Sequence, residues 1–270
     1  MEPDLIYDVG MHEGEDTAFY LRKGFRVVAI EANPQLATAC AAEFEAAVSA
    51  GRLTIVNKAI GEAPGAIDFY INESRSIWGT ANPAWAERNE NFGAGSKAIT
   101  VDAVTIASVI EAHGVPYYMK VDIEGNDILC LTGLRHLAEK PRYISVESSA
   151  SSAKDTLEQL DVLAELGYSR FKIVSQYNVP HQSCPMPARE GLFVDHAFKL
   201  HSSGLFGAET PGAWKSLAEV RAEYRRIHFE CRMTGPINGI FRNVNYWRAQ
   251  RLLDRVFPRG RDWFDTHATH

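Results

Sequence analysis

Through the first 175 residues, short β-branched runs alternate with stretches of helical character, and no other feature narrows the fold as much. Strands separated by helices of roughly 10–15 residues predict βαβ units and a parallel sheet covered on both faces. Strand-like runs stand at Leu5-Ile6-Tyr7 and at 26–30, 53–56, 66–71, 117–121, 143–146 and 171–174, with a last strand expected over 191–194. The 26–30 run (Arg-Val-Val-Ala-Ile) suits a strand buried on both sides. Helices are expected over 16–23, stopped by Gly24, and over 34–49, 127–138 and 154–166. Pro34 fits the first turn of its helix.

Two segments break this rhythm. Residues 74–96 are rich in glycine, asparagine and tryptophan, including Trp78, Gly79, Trp85, Asn89, Gly93 and Gly95. A loop that long inside a compact domain is usually functional, and its aromatics favour a lid. The second segment is the tail, where Thr210-Pro211 reads as a helix start and Trp214, Leu217, Val220, Tyr224 and Ile227 follow at helical spacing. The expected organisation is a domain over 1–200 and a helical extension over 201–270 packed on it.

Composition removes several classes. With 46% hydrophobic and 23% charged residues, the chain is neither disordered, collagen-like nor coiled coil. It holds no apolar run of about 18 residues, so no transmembrane segment is expected. Nor does a basic, cleavable leader follow Met1, and cytoplasm is the expected location. The four cysteines, Cys40, Cys130, Cys184 and Cys231, have no metal or redox spacing, and the first two read as buried apolar residues. The net charge of −6 conceals an asymmetry: residues 213–263 carry ten Arg and one Lys against five acids. Overall acidity argues against nucleic acid as a partner. The arginines are expected to line the wet faces of helices, with an anionic substrate, a partner or a membrane surface as the functional alternatives.

The sharpest local motif is Asp8-Val9-Gly10-Met11-His12-Glu13-Gly14, set between a strand and a helix. Glycines there allow a tight turn and close approach of a nucleotide-sized ligand. Glu31 ends the next strand, 17 residues beyond Gly14, where such folds place the acid that holds ribose hydroxyls. A dinucleotide fingerprint needs a third glycine and disfavours an acid in the turn, because a diphosphate is anionic. S-adenosylmethionine carries a cationic sulfonium and an ammonium, which an acid at the strand end suits.

With these residues in place, the chain resembles the FkbM-type methyltransferases. Three blocks carry the resemblance: Tyr7-Asp8-Val9-Gly10 through Gly14 with Val28-Ala29-Ile30-Glu31-Ala32-Asn33-Pro34; Val56-Asn57-Lys58-Ala59-Ile60-Gly61; and Met119-Lys120-Val121-Asp122-Ile123-Glu124-Gly125, the most specific. The resemblance implies a class I, Rossmann-like methyltransferase fold: an α/β sheet of seven strands, mostly parallel with the last antiparallel, and helices on both faces. It implies S-adenosylmethionine as cofactor and a hydroxyl of a sugar, glycan or secondary metabolite as small-molecule acceptor. On the same basis Asp8, Gly10, His12, Gly14 and Thr17 would line the methionine and ribose end, with His12 standing where members often have asparagine. Glu31 would hold the ribose, Ala32 would flank the adenosine, and Ala59 and Ile60 would sit at the adenine edge.

Ligands in open α/β sheets bind beyond the carboxyl ends of the strands, where Asp122, Glu124 and Glu147 stand. Asp122 is the expected general base, with Glu124 and Glu147 as alternates; a structural role holding loop backbone and Lys120 is the competing reading. Three carboxylates also suit Mg²⁺, although no fixed ligand spacing demands it. Trp78 and Trp85 offer faces for stacking an acceptor sugar, or else pack the loop down. His181, His196 and His201 have no assigned role. The competing functions are an NAD-dependent oxidoreductase and a non-catalytic scaffold that uses the arginine-rich tail. Oligomeric state is not legible.

Overall fold

A computed structural model of the protein describes residues 1–91, 93–148, 152–235, 239–241, 247–259 and 263–270. Phe92 of the tryptophan-bearing segment, and Arg242 and Arg261 of the arginine-rich one, lie outside the described residues. In chain order the elements are β1 (Glu2–Val9), α1 (Glu15–Arg22), β2 (Arg26–Ile30), α2 (Pro34–Glu43), α3 (Glu45–Ser49), β3 (Leu53–Val56), β4 (Ala59–Ile60) and β5 (Gly65–Asn72). Then come α4 (Pro83–Asn91), β6 (Ser96–Val104), α5 (Ile106–His113), β7 (Pro116–Val121), α6 (Asp127–Gly133), β8 (Tyr143–Ser148), α7 (Ala153–Glu165) and β9 (Arg170–Ser175). The chain ends with α8 (Leu217–Thr234), α9 (Trp247–Val256) and β10 (Phe264–Thr269).

A seven-stranded sheet in the order β3-β2-β1-β7-β8-β10-β9 forms the centre, and β4-β6-β5 form a smaller sheet. In the central sheet only β10 runs antiparallel, wedged between β8 and β9. Side chains of β1 alternate between two cores: Leu5, Tyr7 and Val9 face the one under α5–α8, and Ile6 faces the one under α1 and α2. Burial of each such large apolar side chain contributes about 1.5–3 kcal/mol before chain entropy is counted. The parallel order brings the ends of β1, β2, β7 and β8 to one edge of the sheet. β10 begins at that same edge, with Asp265 opposite Glu147.

Three expectations are corrected. Residues 191–194 are not a strand: Gly191 takes a positive φ of 51°, Leu192 donates to the Lys23 carbonyl, and Leu192 and Phe193 stay exposed. The antiparallel strand comes instead from the last residues of the sequence, whose Asp265, Thr266, His267 and Thr269 do not look like a core strand. The tail helix does not start at Thr210-Pro211. Lys215 pairs with Phe171 as an isolated bridge, and Ser216 then caps α8 in a capping box with Glu219. Residues 74–96 are not a bare loop either, because they contain α4 and a 3-10 turn at Ser76–Trp78.

Between β9 and α8 the chain runs without a strand, yet Val179, Val194, Phe198, Leu205 and Phe206 are core residues. Its anchor is a fully buried ion pair, Lys23 to Glu209 at 2.8 Å. Cys40 and Cys130 are buried, as expected, and all four cysteines are free thiols. Among the described residues no helix is long and apolar enough to cross a membrane.

Candidate active site

A cavity of about 1220 Å³ opens at the carboxyl edge of the sheet. That exceeds the roughly 300–1,000 Å³ of a single drug-sized ligand, so two molecules fit side by side. Gly10, His12, Glu31, Ala32, Ala59, Ile60, Trp78, Trp85, Asp122, Glu124 and Glu147 all line it. Asp8, Gly14 and Thr17 do not; they stand behind it.

Gly10 shows why the turn needs glycine. Its φ is +88°, and a Cβ there would sit 1.8 Å from the Asp122 carbonyl oxygen. Gly14 is the left-handed N-cap of α1, and a Cβ on it would meet the Phe44 ring at 2.5 Å. Behind the turn Asp8 is wholly buried, accepts a hydrogen bond from Thr17 Oγ1 at 2.7 Å and lies 3.2 Å from Lys120 Nζ. Lys120 donates to the Gly10 carbonyl at 2.7 Å, and Asp16 and Asp122 are each 3.9 Å from it. Burial alone would lower the Lys120 pKa, but Asp8, Asp122 and Asp16 outweigh it and raise the value, so the ammonium is a fixed cation. The two Asp16 oxygens accept from Ser203 N, both at 3.0 Å, which ties the post-β9 strap to this spot.

Glu31 closes the end of β2. Its carboxylate accepts from the backbone of His12 at 2.8 Å and of Asn33 at 2.7 Å. Desolvation raises its pKa to about 7, in spite of these bonds. Each oxygen keeps a lone pair for a ligand, and the apolar Ile30, Ala59 and Ile60 stand beside it. His12 takes a positive φ of 53°, its ring nitrogen Nε2 is 2.9 Å from Ser76 Oγ, and burial lowers its pKa.

Across the cavity, Asp122, Glu124 and Glu147 bring one carboxylate oxygen each to within 4.8 Å of the others. Glu124 sits at a positive φ of 51°, a strained setting for a residue with a Cβ. The strain is held by Asp127, which accepts from Ile123 N and Gly125 N. Burial raises the pKa of both Glu124 and Glu147 well above the carboxylate range, and the neighbouring acids raise it further. A hard cation or a shared proton would each relieve such a cluster.

The tryptophan-bearing segment is bolted to this turn. Thr80 Oγ1 donates to the Glu124 carbonyl at 2.7 Å, and Asn82 Nδ2 donates to that of Gly125 at 3.2 Å. Trp85 packs so closely on Gly125 that a Cβ there would be 2.6 Å from the indole. Arg75 and Arg88 stack on Trp78 and Trp85, at 4.3 and 3.8 Å from the ring centres.

Asp265 and Trp263 also line the cavity, as do Gln176 and Tyr177 beyond β9 and Arg225 and Arg232 of α8. Sequence reasoning singled out none of them, although an anionic substrate was one alternative for the arginine-rich segment that holds Arg225 and Arg232. Asp265 lies in no motif, and its place next to Glu147 follows only from the pairing of β10 with β8.

The family described as the methyltransferase FkbM domain matches residues 8–170, well over half of the chain. The chain belongs to the FkbM methyltransferase family. Its seven-stranded sheet with flanking helices agrees with a Rossmann-like class I methyltransferase fold, and membership in this family speaks against the NAD-dependent oxidoreductase reading. Among solved structures, the methyltransferase FkbM from Methylobacillus flagellatus KT is 19% identical, with a TM-score of 0.44 over 64% of this chain and 39% of its own. The FkbM chain described here therefore spans about two fifths of that relative's length. A precorrin-6y C5,15-methyltransferase from Geobacter metallireducens GS-15 is 12% identical, over 65% of this chain and 69% of its own, with a TM-score of 0.37. A methyltransferase from Geobacter sulfurreducens, solved with S-adenosyl-L-homocysteine, is 11% identical over 100% and 86%, with a TM-score of 0.35. No curated protein matches the sequence.

Proposed function

We propose that the protein moves the methyl group of S-adenosylmethionine to a hydroxyl oxygen of a sugar, glycan or secondary metabolite, with Asp122 as general base. One observation carries this reading. Asp122, Glu124 and Glu147 converge within 4.8 Å on the cavity that Glu31 also lines. Two requirements of methyl transfer to an alcohol, a cofactor seat and a proton acceptor, are thus met in one cavity.

The cofactor's seat fits what the chain offers. Glu31 receives the ribose hydroxyls on its spare lone pairs, Ala32, Ala59 and Ile60 flank the adenosine, and the Gly10–His12 turn lies along the methionine end. Asp8, Gly14 and Thr17 hold that turn from behind. When bound, S-adenosylmethionine supplies a methyl carbon attached to a good leaving group.

The chain's own work is alignment and proton removal. The acceptor hydroxyl has to lie in line with the methyl carbon, and Trp78 and Trp85 form a wall against which its ring can rest. Asp122 takes the proton as the oxygen–carbon bond forms, a contribution of roughly 10²–10⁴-fold. Glu124 and Glu147 hold neighbouring hydroxyls. Lys120 Nζ, 3.9 Å from Asp122, keeps a cation beside this base, and Mg²⁺ held by the three acids is the alternative.

Calorimetry with S-adenosylmethionine and S-adenosylhomocysteine, beside Glu31→Ala, tests the seat. Micromolar binding lost in the variant is the expected result. Binding of neither ligand would sink the reading and leave the scaffold alternative. Cofactor binding without label transfer to any hydroxyl in a glycan panel would sink the acceptor assignment.

A further inference from the structure

The arginine-rich tail takes no part in the chemistry proposed above, yet two of its arginines reach the cavity. α8 carries two stripes. Val220, Tyr224 and Ile227 are buried against the sheet, whereas Arg225, His228, Phe229 and Arg232, at i, i+3, i+4 and i+7, line the cavity.

The arginines around α8 divide in the same way. Arg221 pairs with Asp161, Arg226 with Glu230 at 3.0 Å, and Arg259 with Glu223 at 2.7 Å. The Arg225 and Arg232 side chains make no ion pair or hydrogen bond among the described residues. They stand two turns apart, about 10 Å along the axis, on one side of the helix. Two guanidinium groups on the wall of a cavity with no partner among the described residues, while Arg221, Arg226 and Arg259 are paired, constitute a site for an anion. Beside them the Phe229 and Tyr177 rings are 56% and 50% exposed, and Tyr177 meets Trp263 edge-on at 4.5 Å. Exposed rings next to guanidinium groups suit a sugar or other flat ring that bears the negative charge.

We propose that the acceptor is anionic, with a phosphate or carboxylate held by Arg225 and Arg232 and flanked by the Tyr177 and Phe229 rings, while the part that bears the reacting hydroxyl lies toward Trp78 and Trp85. This rests on the methyltransferase reading above and narrows its acceptor class. The two charged walls then orient the acceptor. Its anion is drawn to α8 and kept away from Asp122, Glu124 and Glu147, which leaves a hydroxyl to face the acids.

The test uses the whole protein preloaded with S-adenosylhomocysteine and titrated with three ligands that share one ring: galactose 1-phosphate, galacturonate and methyl galactoside. Failure to load the first ligand would strike the methyltransferase reading and is scored separately. The expected result is at least tenfold tighter binding of a charged sugar than of methyl galactoside. Whether the phosphate or the carboxylate wins identifies the anion. The Arg225→Ala/Arg232→Ala double variant should load S-adenosylhomocysteine normally and lose the preference, and Arg226→Ala should keep it. Equal binding of charged and neutral sugars, or a preference that survives the double variant, overturns the proposal.

Discussion

On the Glu31 side of the cavity, proposed above to seat the cofactor, the carboxylates are engaged. Glu31 accepts two backbone N–H groups, and Asp8 is held between Thr17 and Lys120. On the opposite side, Asp122, Glu124, Glu147 and Asp265 accept no side-chain hydrogen bond among the described residues, and their closest cations are Lys120 and Arg88, both at 3.9 Å. Burial raises the proton affinity of Glu31 as well as of Glu124, Glu147 and Asp265, so what separates the two sides is their hydrogen-bond donors: built in around Glu31, and missing around the acids opposite among the described residues. Withdrawing a carboxylate such as Asp265 from water without partners is costly and is expected only where chemistry requires it, whereas the Asp122 side chain stays 41% exposed.

The widest gap between the two sides should show in turnover. Asp122→Asn is expected to lower kcat by about 10²–10⁴-fold while S-adenosylhomocysteine binding stays intact. A variant that loses binding instead would move Asp122 to the cofactor side. Glu31→Ala is the reciprocal change. Loss of charge-assisted bonds worth about 1.5–3 kcal/mol should weaken cofactor binding roughly 10–100-fold, read by calorimetry.

Stability should respond to pH in a direction set by these raised carboxyls. Below about pH 4 Glu31 is neutral both folded and unfolded, so its burial costs little. As pH rises toward 7 the unfolded chain ionises first, the folded carboxyl still holds its proton, and stability is lost. The shifts of Glu124 and Glu147 have the same sign. The melting temperature of the ligand-free protein should therefore fall from pH 5 to pH 8, and Glu31→Gln should flatten the slope. An increase over that range would contradict the burial of these groups. The smallest effect concerns metal: a chelator should leave methyl transfer unchanged, and a loss restored by Mg²⁺ would turn the acid cluster from base to cation holder.

Much of the site was legible in the chain. The Gly10 turn, Glu31 and the Lys120–Gly125 block each lie at the end of a β-branched run, and a strand end in a parallel sheet has one destination. The glycines announced themselves because no other residue tolerates their φ at that closeness. What stayed hidden came from elements whose role depends on a distant partner. Four of the six residues 264–269 are polar, and β10 forms only because β8 and β9 leave a gap that its backbone can bridge. The 74–96 segment read as a loop since its order comes from Thr80, Asn82 and Trp85 docking on a turn 40 residues later in the chain.

Local pattern therefore determined the parallel α/β sheet, its carboxyl edge and the acids that stand there, because periodicity and backbone strain are properties of neighbouring residues. Tertiary structure decided which arginines on α8 have no carboxylate partner among the described residues and that Asp265 joins Glu147. Those facts depend on distances between residues that the sequence separates by tens to more than a hundred positions.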